Sequence, residues 1–260
     1  MKRPNILVLK TDGTNCDEEL SFAFSLAGGN PKTVHINDLR NKSDSLKKYQ
    51  ILALPGGFSY GDDVASGKIL ATELTSYFSN ELQSFINRKN TMAIGICNGF
   101  QVLVRTGLLP FKTLGKMQAT LTSNDSGKFE CRWVKIKVEK STSLFLKDLQ
   151  NTVVSYQVAH GEGKFFASQE IIDKIEKQNL VAFRYVGNKG NPTNEYPQNP
   201  NGAINAIAGI TDTTGRILGL MPHPERFVLI EQYPNWRSEK VKEPHGLPIF
   251  KNMIHFVQNA

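Results

Sequence analysis

Short apolar runs alternate with helical patterns over the first hundred residues of this 260-residue chain. The runs at residues 5–9, 51–54 and 92–96 each lead into a turn signal or a glycine-rich segment. Strands that alternate with helices form a parallel sheet covered on both faces, because every parallel connection must cross back over the sheet. We therefore predict an α/β fold with a flavodoxin-like, doubly wound and mostly parallel sheet.

Two helices are predicted within this first part of the chain. One begins after Asn15, where Glu18 follows three residues later as in a capping box, and closes at Gly28. The other is predicted to run unbroken over residues 69–86, since apolar side chains recur there at fourfold spacing. Both helices would cover the faces of the parallel sheet.

The pattern changes after residue 116. Residues 133–138 alternate apolar and charged side chains, which is typical of an antiparallel strand with one solvated face. We interpret residues 1–260 as one domain whose parallel sheet carries an antiparallel extension. The remaining predictions are strands at 33–36, 180–186, 203–211 and 217–221, helices at 168–177 and 248–257, and a loop over 187–202.

Composition excludes several classes of protein. The chain is 40% hydrophobic and 21% charged, which is ordinary for a globular protein, and no apolar stretch is long enough to span a membrane. The net charge of +7 comes without a basic run or a nucleic-acid-binding signature, so we predict a solvated basic surface or an anionic partner, no nucleic acid and no membrane. Cys16, Cys97 and Cys131 lack zinc-ligand spacing. They favour a reducing, cytoplasmic compartment and no metal site.

Cys97 stands in a Gly-x-Cys-x-Gly sequence between a predicted strand and a helix-forming segment, residues 100–105. This is the form of a nucleophile elbow, in which glycines on both sides permit a sharp turn that exposes the reactive side chain. A helix N-terminus at the sulfur favours the thiolate, which is the nucleophilic form. A small buried cysteine at a strand end is the bland alternative, so the elbow needs a base and an oxyanion loop elsewhere.

A base is available directly after the predicted strand 217–221. His223 lies between two prolines and is followed by Glu225. Extended backbone places residues two apart on the same side, so Glu225 can orient the His223 imidazole. The glycine-rich segment after the strand 51–54 can offer the backbone N–H of Gly57 to an oxyanion, together with the N–H of Asn98. A polar turn after a strand and a simple glycine turn are the alternatives at these two places.

Four motifs besides the elbow, residues 95–101 (GICNGFQ), resemble those of one family. The chain resembles the class I glutamine amidotransferases, and within them the glutaminase subunits of phosphoribosylformylglycinamidine synthases. The motifs span most of the chain in the family's order. They are PGGFSYGDD at 55–63, FECRWV at 129–134, AHGEGKF at 159–165 and GLMPHPER at 219–226.

The resemblance implies hydrolysis of L-glutamine to glutamate and ammonia through a γ-glutamyl thioester on Cys97. It implies His223 as the proton carrier, Glu225 as its orienting carboxylate, and oxyanion donors at Gly57 and Asn98. Contacts to glutamine are implied for three residues: Gly56, Gln101 and His160. Glu162 belongs to the same signature as His160, near the glutamine pocket or the partner contact. Cys16 and Cys131 match family cysteines that are not the nucleophile, which implies structural roles. Gln157 departs from the pattern, where a proline is expected.

No credible phosphate and magnesium site is present in the sequence. The nearest imitation of a P-loop, residues 61–68, has five residues between its glycines and Ile69 where Ser or Thr should bind magnesium. The resemblance therefore implies no cofactor in this chain, and a separate synthetase subunit that uses ATP and Mg²⁺ to make formylglycinamidine ribonucleotide in purine biosynthesis. Because the chain starts at Met1 with the first strand, we expect a free-standing subunit. Whether a small additional subunit joins stays open.

Three other functions compete with this one. Cys97 could serve a peptidase, hydrolase or redox sensor of a related flavodoxin-like superfamily. The chain could instead be a silent scaffold that completes a synthetase complex, or a basic RNA-associated module with salt-sensitive binding. Hydrolysis of free glutamine separates the first two from the glutaminase. The presence of Cys97, His223 and Glu225 together counts against the scaffold.

Overall fold

The computed structural model describes residues 3–260, so the first two residues of the predicted domain 1–260 lie outside it. The strands are β1 (Asn5–Lys10), β2 (Asn30–His35), β3 (Ile51–Leu54), β4 (Met92–Ile96), β5 (Thr120–Thr122), β6 (Glu130–Val138), β7 (Val153–His160), β8 (Lys164–Phe166), β9 (Val181–Tyr185), β10 (Ile207–Thr211) and β11 (Ile217–Leu220). The α-helices are α1 (Asp17–Leu26), α2 (Ile36–Arg40), α3 (Lys68–Ser76), α4 (Ser79–Asn87), α5 (Asn98–Arg105), α6 (Gln169–Lys177) and α7 (Leu247–Asn259).

A nine-stranded sheet with the order β2-β1-β3-β4-β11-β10-β9-β6-β7 organises the molecule. The strands from β2 to β11 in this order pair in parallel. Numbered among themselves they run 2-1-3-4-5, which is the flavodoxin-like order. Strands β3, β4 and β11 are buried along their whole length, as expected for strands covered on both faces. The predicted fold class is confirmed.

The second half of the sheet is the antiparallel extension, in which β11, β10, β9, β6 and β7 pair in antiparallel fashion. Its last strand, β7, returns to the carboxyl ends of the parallel strands. Gln157 of β7 forms an isolated antiparallel bridge with His223, and the carbonyl of Ala159 lies 3.5 Å from Cys97 Sγ. The extension therefore curls over the sheet and forms one wall beside Cys97, consistent with the accumulated twist of a long sheet.

The predicted helix over 69–86 is wrong as one element. It is divided between α3 and α4, and Phe78 at the division has φ −116° and ψ 15°. Phe78 is buried, as are Leu74 and Leu82 on either side of it, so the apolar face continues across the division. Fourfold spacing persists within each half, which is why the sequence pattern does not reveal the break. Asn15 is not the N-cap of α1 either, because the helix begins after Cys16.

The other predicted elements are present with shifted ends. The strand expected over 203–211 is shorter, since residues 204–206 form a 3₁₀ turn before β10 begins. Strands β7 and β8 were not predicted. The expected loop over 187–202 contains no helix or strand. None of the helices within residues 3–260 is both long and apolar enough to cross a membrane.

Candidate active site

Cys97 occupies the sharp turn between β4 and α5. Its backbone has φ 52° and ψ −107°, a left-handed conformation that side-chain-bearing residues adopt at a cost and that marks functional sites. A Cβ on Gly99 would lie 2.0 Å from the carbonyl oxygen of Leu54, and one on Gly95 would lie 2.3 Å from the carbonyl oxygen of Gly99. Both glycines are thus required by close packing of backbone against backbone. The turn is the predicted nucleophile elbow.

His223 and Glu225 follow β11, the parallel neighbour of β4, and are 1% and 0% exposed. His223 Nδ1 lies 2.6 Å from Glu225 Oε1. An ionised carboxylate only accepts hydrogen bonds, so Nδ1 carries a proton and Nε2 is left to exchange one. The backbone N–H of His223 donates to the carbonyl of Gln157 at 2.8 Å, which ties the backbone of His223 to β7. Nε2 has no hydrogen-bond partner within residues 3–260.

The electrostatic surroundings favour a protonated His223. Burial by itself lowers the pKa of this imidazole, but the negative charge of Glu225 and the nearby thiols of Cys16 and Cys97 raise the pKa well above its ordinary value. The thiols of Cys97 and Cys16 therefore lie near the ring, although Nε2 forms no hydrogen bond to either within residues 3–260. A protonated imidazole beside a thiol is the arrangement that stabilises a thiolate.

The two backbone N–H groups predicted to bind an oxyanion follow β3 and β4, and neither donates to an acceptor within residues 3–260. Asn98 is the first residue of α5, so its N–H has no acceptor within the helix. Gly57 has φ 134°, and a Cβ there would lie 2.7 Å from the backbone nitrogen of Asn15. Only glycine fits this position, and among the described residues its N–H donates to no backbone or side-chain acceptor. Both predicted donors thus have unused N–H groups.

A buried polar network ties the glycine loop to the elbow helix. Asn98 Oδ1 accepts from the backbone N–H of Ser59 at 3.4 Å, and Asn98 Nδ2 donates to Asp62 at 3.0 Å and to Gln101 Oε1 at 3.1 Å. Gln101 Nε2 donates to the carbonyl of Glu162 at 2.5 Å. Burial raises the pKa of Asp62, partly offset by its hydrogen-bond donors. Both ends of the Gln101 side chain are therefore occupied by protein, and this residue holds two loops in place.

His160, at the end of β7, is 3% exposed and has a fixed tautomer. Asn124 Oδ1 accepts from the backbone N–H of Gly163 at 3.0 Å, so it also accepts from His160 Nδ1 at 3.1 Å. The lone pair therefore lies on Nε2, which has no partner among the described residues. Burial, and then the charge of His223, lower the pKa of His160 to about 3. His160 is a neutral acceptor close to the base.

Cys16 was missed as a site residue and Gly56 has a role beyond the predicted one. An ideal Cβ on Gly56 would lie 2.8 Å from His223 Cε1 and 3.1 Å from Cys16 Sγ. The absence of a side chain at 56 therefore lets the imidazole and the thiol pack against this backbone. No sequence signal pairs Cys16 with His223, because the fold alone brings them together. Cys131, by contrast, is exposed on β6.

One group of potential metal ligands occurs within residues 3–260. Cys16, His223 and Glu225 offer ligand atoms that all lie within 4.8 Å of one another. His223 and Glu225 already bind each other, and the Arg226 guanidinium donates to Cys16 Sγ at 3.2 Å, which places a fixed positive charge at the group. His223 and Glu225 are therefore engaged with each other, and Cys16 with Arg226, in the absence of any ion.

The fold and this geometry define a class: an α/β protein with a cysteine elbow, a buried His–Glu pair and an adjacent glycine loop. A model of the family described as "CobB/CobQ-like glutamine amidotransferase domain" matches residues 3–257. The chain belongs to this family, and the resemblance to glutamine amidotransferases is confirmed.

Curated relatives share its full length. The chain is 45% identical over 262 residues to "Phosphoribosylformylglycinamidine synthase subunit PurQ" of Dehalococcoides mccartyi, covering 100% of both chains. It is 40% identical over 267 residues to the protein of the same description in Methanococcus maripaludis, covering 97% of each. Among solved structures, a chain of "PurLQS from Thermotoga maritima" matches with a TM-score of 0.73 and 28% identity, covering 98% of this chain and 100% of that one.

Proposed function

We propose that this chain is a glutaminase that hydrolyses L-glutamine to glutamate and ammonia and passes the ammonia to a separate synthetase subunit. The observation that carries the proposal is the buried His223–Glu225 pair, 2.6 Å apart, whose imidazole lies near the Cys97 thiol at the elbow. Full-length similarity to proteins described as synthase subunits supports the same reaction.

The geometry assigns a role to each group. Cys97 Sγ attacks the side-chain amide carbon of glutamine, and the N–H groups of Gly57 and Asn98 stabilise the oxyanion that forms. His223 Nε2 gives a proton to the departing nitrogen, which leaves as ammonia, while the γ-glutamyl group stays on sulfur as a thioester. A water molecule then gives a proton to His223 and attacks the thioester, releasing glutamate and the Cys97 thiol. Glu225 keeps Nε2 as the exchanging nitrogen throughout.

Of the three residues predicted to contact glutamine, we propose a direct contact for His160 and supporting roles for Gln101 and Gly56. His160 Nε2 is a buried acceptor without a partner among the described residues and can accept from an N–H of glutamine. Gln101 acts through Glu162, whose backbone it holds, so we place it behind the pocket wall. Gly56 supplies the close backbone approach that lets His223 reach the site.

The proposed partner is the synthetase that converts formylglycinamide ribonucleotide to the amidine with ATP. It would hold ATP and Mg²⁺, since the sequence of this chain offers no P-loop. We propose the cytoplasm as the location because all three cysteines are unpaired, as in reducing compartments. Whether a small additional subunit is needed is tested by mixing this chain with the synthetase at increasing ratios and measuring the mass of the complex that forms.

Glutamate release from glutamine tests the proposal. Wild type, Cys97→Ala and the exposed-cysteine control Cys131→Ala are measured alone and with the cognate synthetase, ATP and formylglycinamide ribonucleotide. We expect release that needs Cys97, is unchanged by Cys131→Ala and rises in the complex. Release that survives Cys97→Ala would refute the mechanism. No release from any sample, with synthesis still supported by added ammonia, would favour the silent scaffold.

A further inference from the structure

Cys16, the residue before α1, lies against the imidazole of the candidate base, although the thioester mechanism gives it no task. It is 2% exposed. Its Sγ and Cβ, like His223 Cε1, lie next to the position that a Cβ on Gly56 would occupy. We propose that Cys16 is a positioning residue that holds the His223 imidazole in the orientation needed for proton exchange with Cys97. This inference rests on the proposed function and extends it.

Cys16 is itself held on two sides. Its S–H donates to Asn15 Oδ1 at 3.2 Å, and its sulfur accepts from Arg226 Nη2 at 3.2 Å. Its backbone N–H donates to the carbonyl of Gly56 at 3.2 Å, which fixes the start of α1 to the glycine loop. A thiol with both its donor and its acceptor engaged cannot rotate freely. It therefore presents a defined surface to the ring beside it.

Arg226 extends this support to two further elements. Its Nε donates to Glu19 of α1 at 3.2 Å, and its Nη1 donates to Gln157 Oε1 of β7 at 3.4 Å. The carbonyl of the same Gln157 accepts the backbone N–H of His223. The base is thus surrounded by a closed set of contacts through α1, β7 and its own loop. Gln157, the departure from the family pattern, supplies a side-chain acceptor that a proline could not.

The chemistry of Cys16 suits positioning rather than nucleophilic attack. Burial raises the pKa of the Cys16 thiol, with the nearby His223 as a smaller opposing effect, so the group stays a neutral thiol near neutral pH. A neutral sulfur is a weak acceptor that tolerates both the neutral and the protonated ring. The charged and titratable groups around His223 are Glu225, Cys97, Cys16, His160 and Arg226.

Displacement of the ring would reduce turnover more than glutamine binding. Proton exchange requires heavy atoms within about 2.6–3.2 Å, and a misplacement of about 1 Å can cost roughly 10²-fold in rate. Cys16→Ala removes the sulfur and leaves Asn15 and Arg226 without this partner. Cys16→Ser keeps a donor and an acceptor on a smaller atom. Comparison of the two variants separates the effect of losing the hydrogen bonds of residue 16 from the effect of reducing its side-chain volume.

The experiment measures kcat and KM for glutamine in the complex with the synthetase, for wild type, Cys16→Ala and Cys16→Ser. We expect Cys16→Ala to lower kcat by about 10–100-fold with KM changed by less than about threefold, and Cys16→Ser to recover most of kcat. The upper pH limb of kcat/KM, where His223 loses its proton, should move to lower pH in Cys16→Ala, because a group that raises the pKa is removed.

A second readout does not need glutamine turnover. Alkylation of Cys97 by iodoacetamide, followed by mass spectrometry of its peptide, should slow in Cys16→Ala and return in Cys16→Ser. Wild-type kcat, pH limb and alkylation rate in Cys16→Ala would overturn the proposal. The proposal would also be overturned if kcat fell only in step with a loss of thermal stability while the upper pH limb of kcat/KM stayed fixed. If wild type released no glutamate, the proposed function would fail, yet the alkylation rates would still test the positioning.

Discussion

Replacing Glu225 by Gln tests how much of the chemistry depends on one buried charge. The substitution keeps the size of the side chain but leaves the His223 imidazolium, 1% exposed, without its carboxylate at 2.6 Å. Breaking one partner of a buried ion pair costs about 3–5 kcal/mol. If the same interaction acts in the transition state, kcat falls by about two to nearly four powers of ten. KM should change little, because Glu225 is fully buried behind His223.

The assay is glutamate release at saturating glutamine by the complex with the synthetase, with Glu231→Gln as control. Glu231 is an exposed carboxylate a few residues further along the chain, so the same chemical change there should leave kcat unaltered. A kcat for Glu225→Gln within about threefold of wild type would refute the assigned role, since about 0.7 kcal/mol is far below the cost of a broken buried pair.

Thermal unfolding of the same variant adds a pH dependence whose sign is fixed. The pKa of His223 is raised in the folded state, so its contribution to stability is complete below the unfolded value of about 6.5 and is lost as pH rises through the folded value. Glu225→Gln lacks this contribution. We expect its deficit in Tm to be largest near pH 6, at about 6–10 °C, and to shrink at alkaline pH. A deficit that grew with pH would contradict the ion pair.

Three further predictions concern single positions. Gly99→Ala places a Cβ 2.0 Å from the Leu54 carbonyl oxygen, so we expect a fall in Tm of several degrees and loss of glutaminase activity, measured by calorimetry and glutamate release. Burial raises the pKa of Asp44, but hydrogen bonds from two lysines, Tyr49 and a backbone N–H lower it below its ordinary range. Asp44→Asn should therefore cost about 1–3 kcal/mol in urea unfolding at pH 7 and progressively less as pH falls below about 4. His160, with its pKa lowered to about 3, should show imidazole NMR signals that do not titrate between about pH 5 and pH 9, and titration there would contradict its assignment as a neutral acceptor.

The elbow could be predicted because its signals are local. Gly95 and Gly99 flank Cys97 within five residues, and the physical reason for each glycine is a backbone contact made inside the same strand–turn–helix unit or with β3 beside it. The His223–Glu225 pair is local too, since a separation of two residues in extended backbone suffices to bring the side chains together. Short-range patterns of this kind specify geometry without knowledge of the rest of the fold.

The break between α3 and α4 could not be predicted, because the fourfold spacing of the buried Leu74, Phe78 and Leu82 continues across it. Strand β7 did have a signal: Val154, Tyr156 and Val158 alternate with less buried or polar residues. The sequence carries no signal for the partner of β7 or for its place in the sheet, because both depend on how far the antiparallel extension curls. Long-range pairing of this kind leaves no spacing rule in the sequence.

The curl of the extension is also what completes the site. Cys97 ends a strand in the middle of the sheet, while β7 is the last strand of the far edge, yet Ala159 and Gln157 of β7 contact Cys97 and His223. The parallel half alone would hold the nucleophile and the base but would lack the wall that carries His160. A chain truncated between β4 and β7 would lose β11 as well, and with it both His223 and the wall formed by β7. The antiparallel strands are part of the catalytic apparatus, and substitutions that loosen β7, such as Gln157→Ala, should change kcat before they change stability.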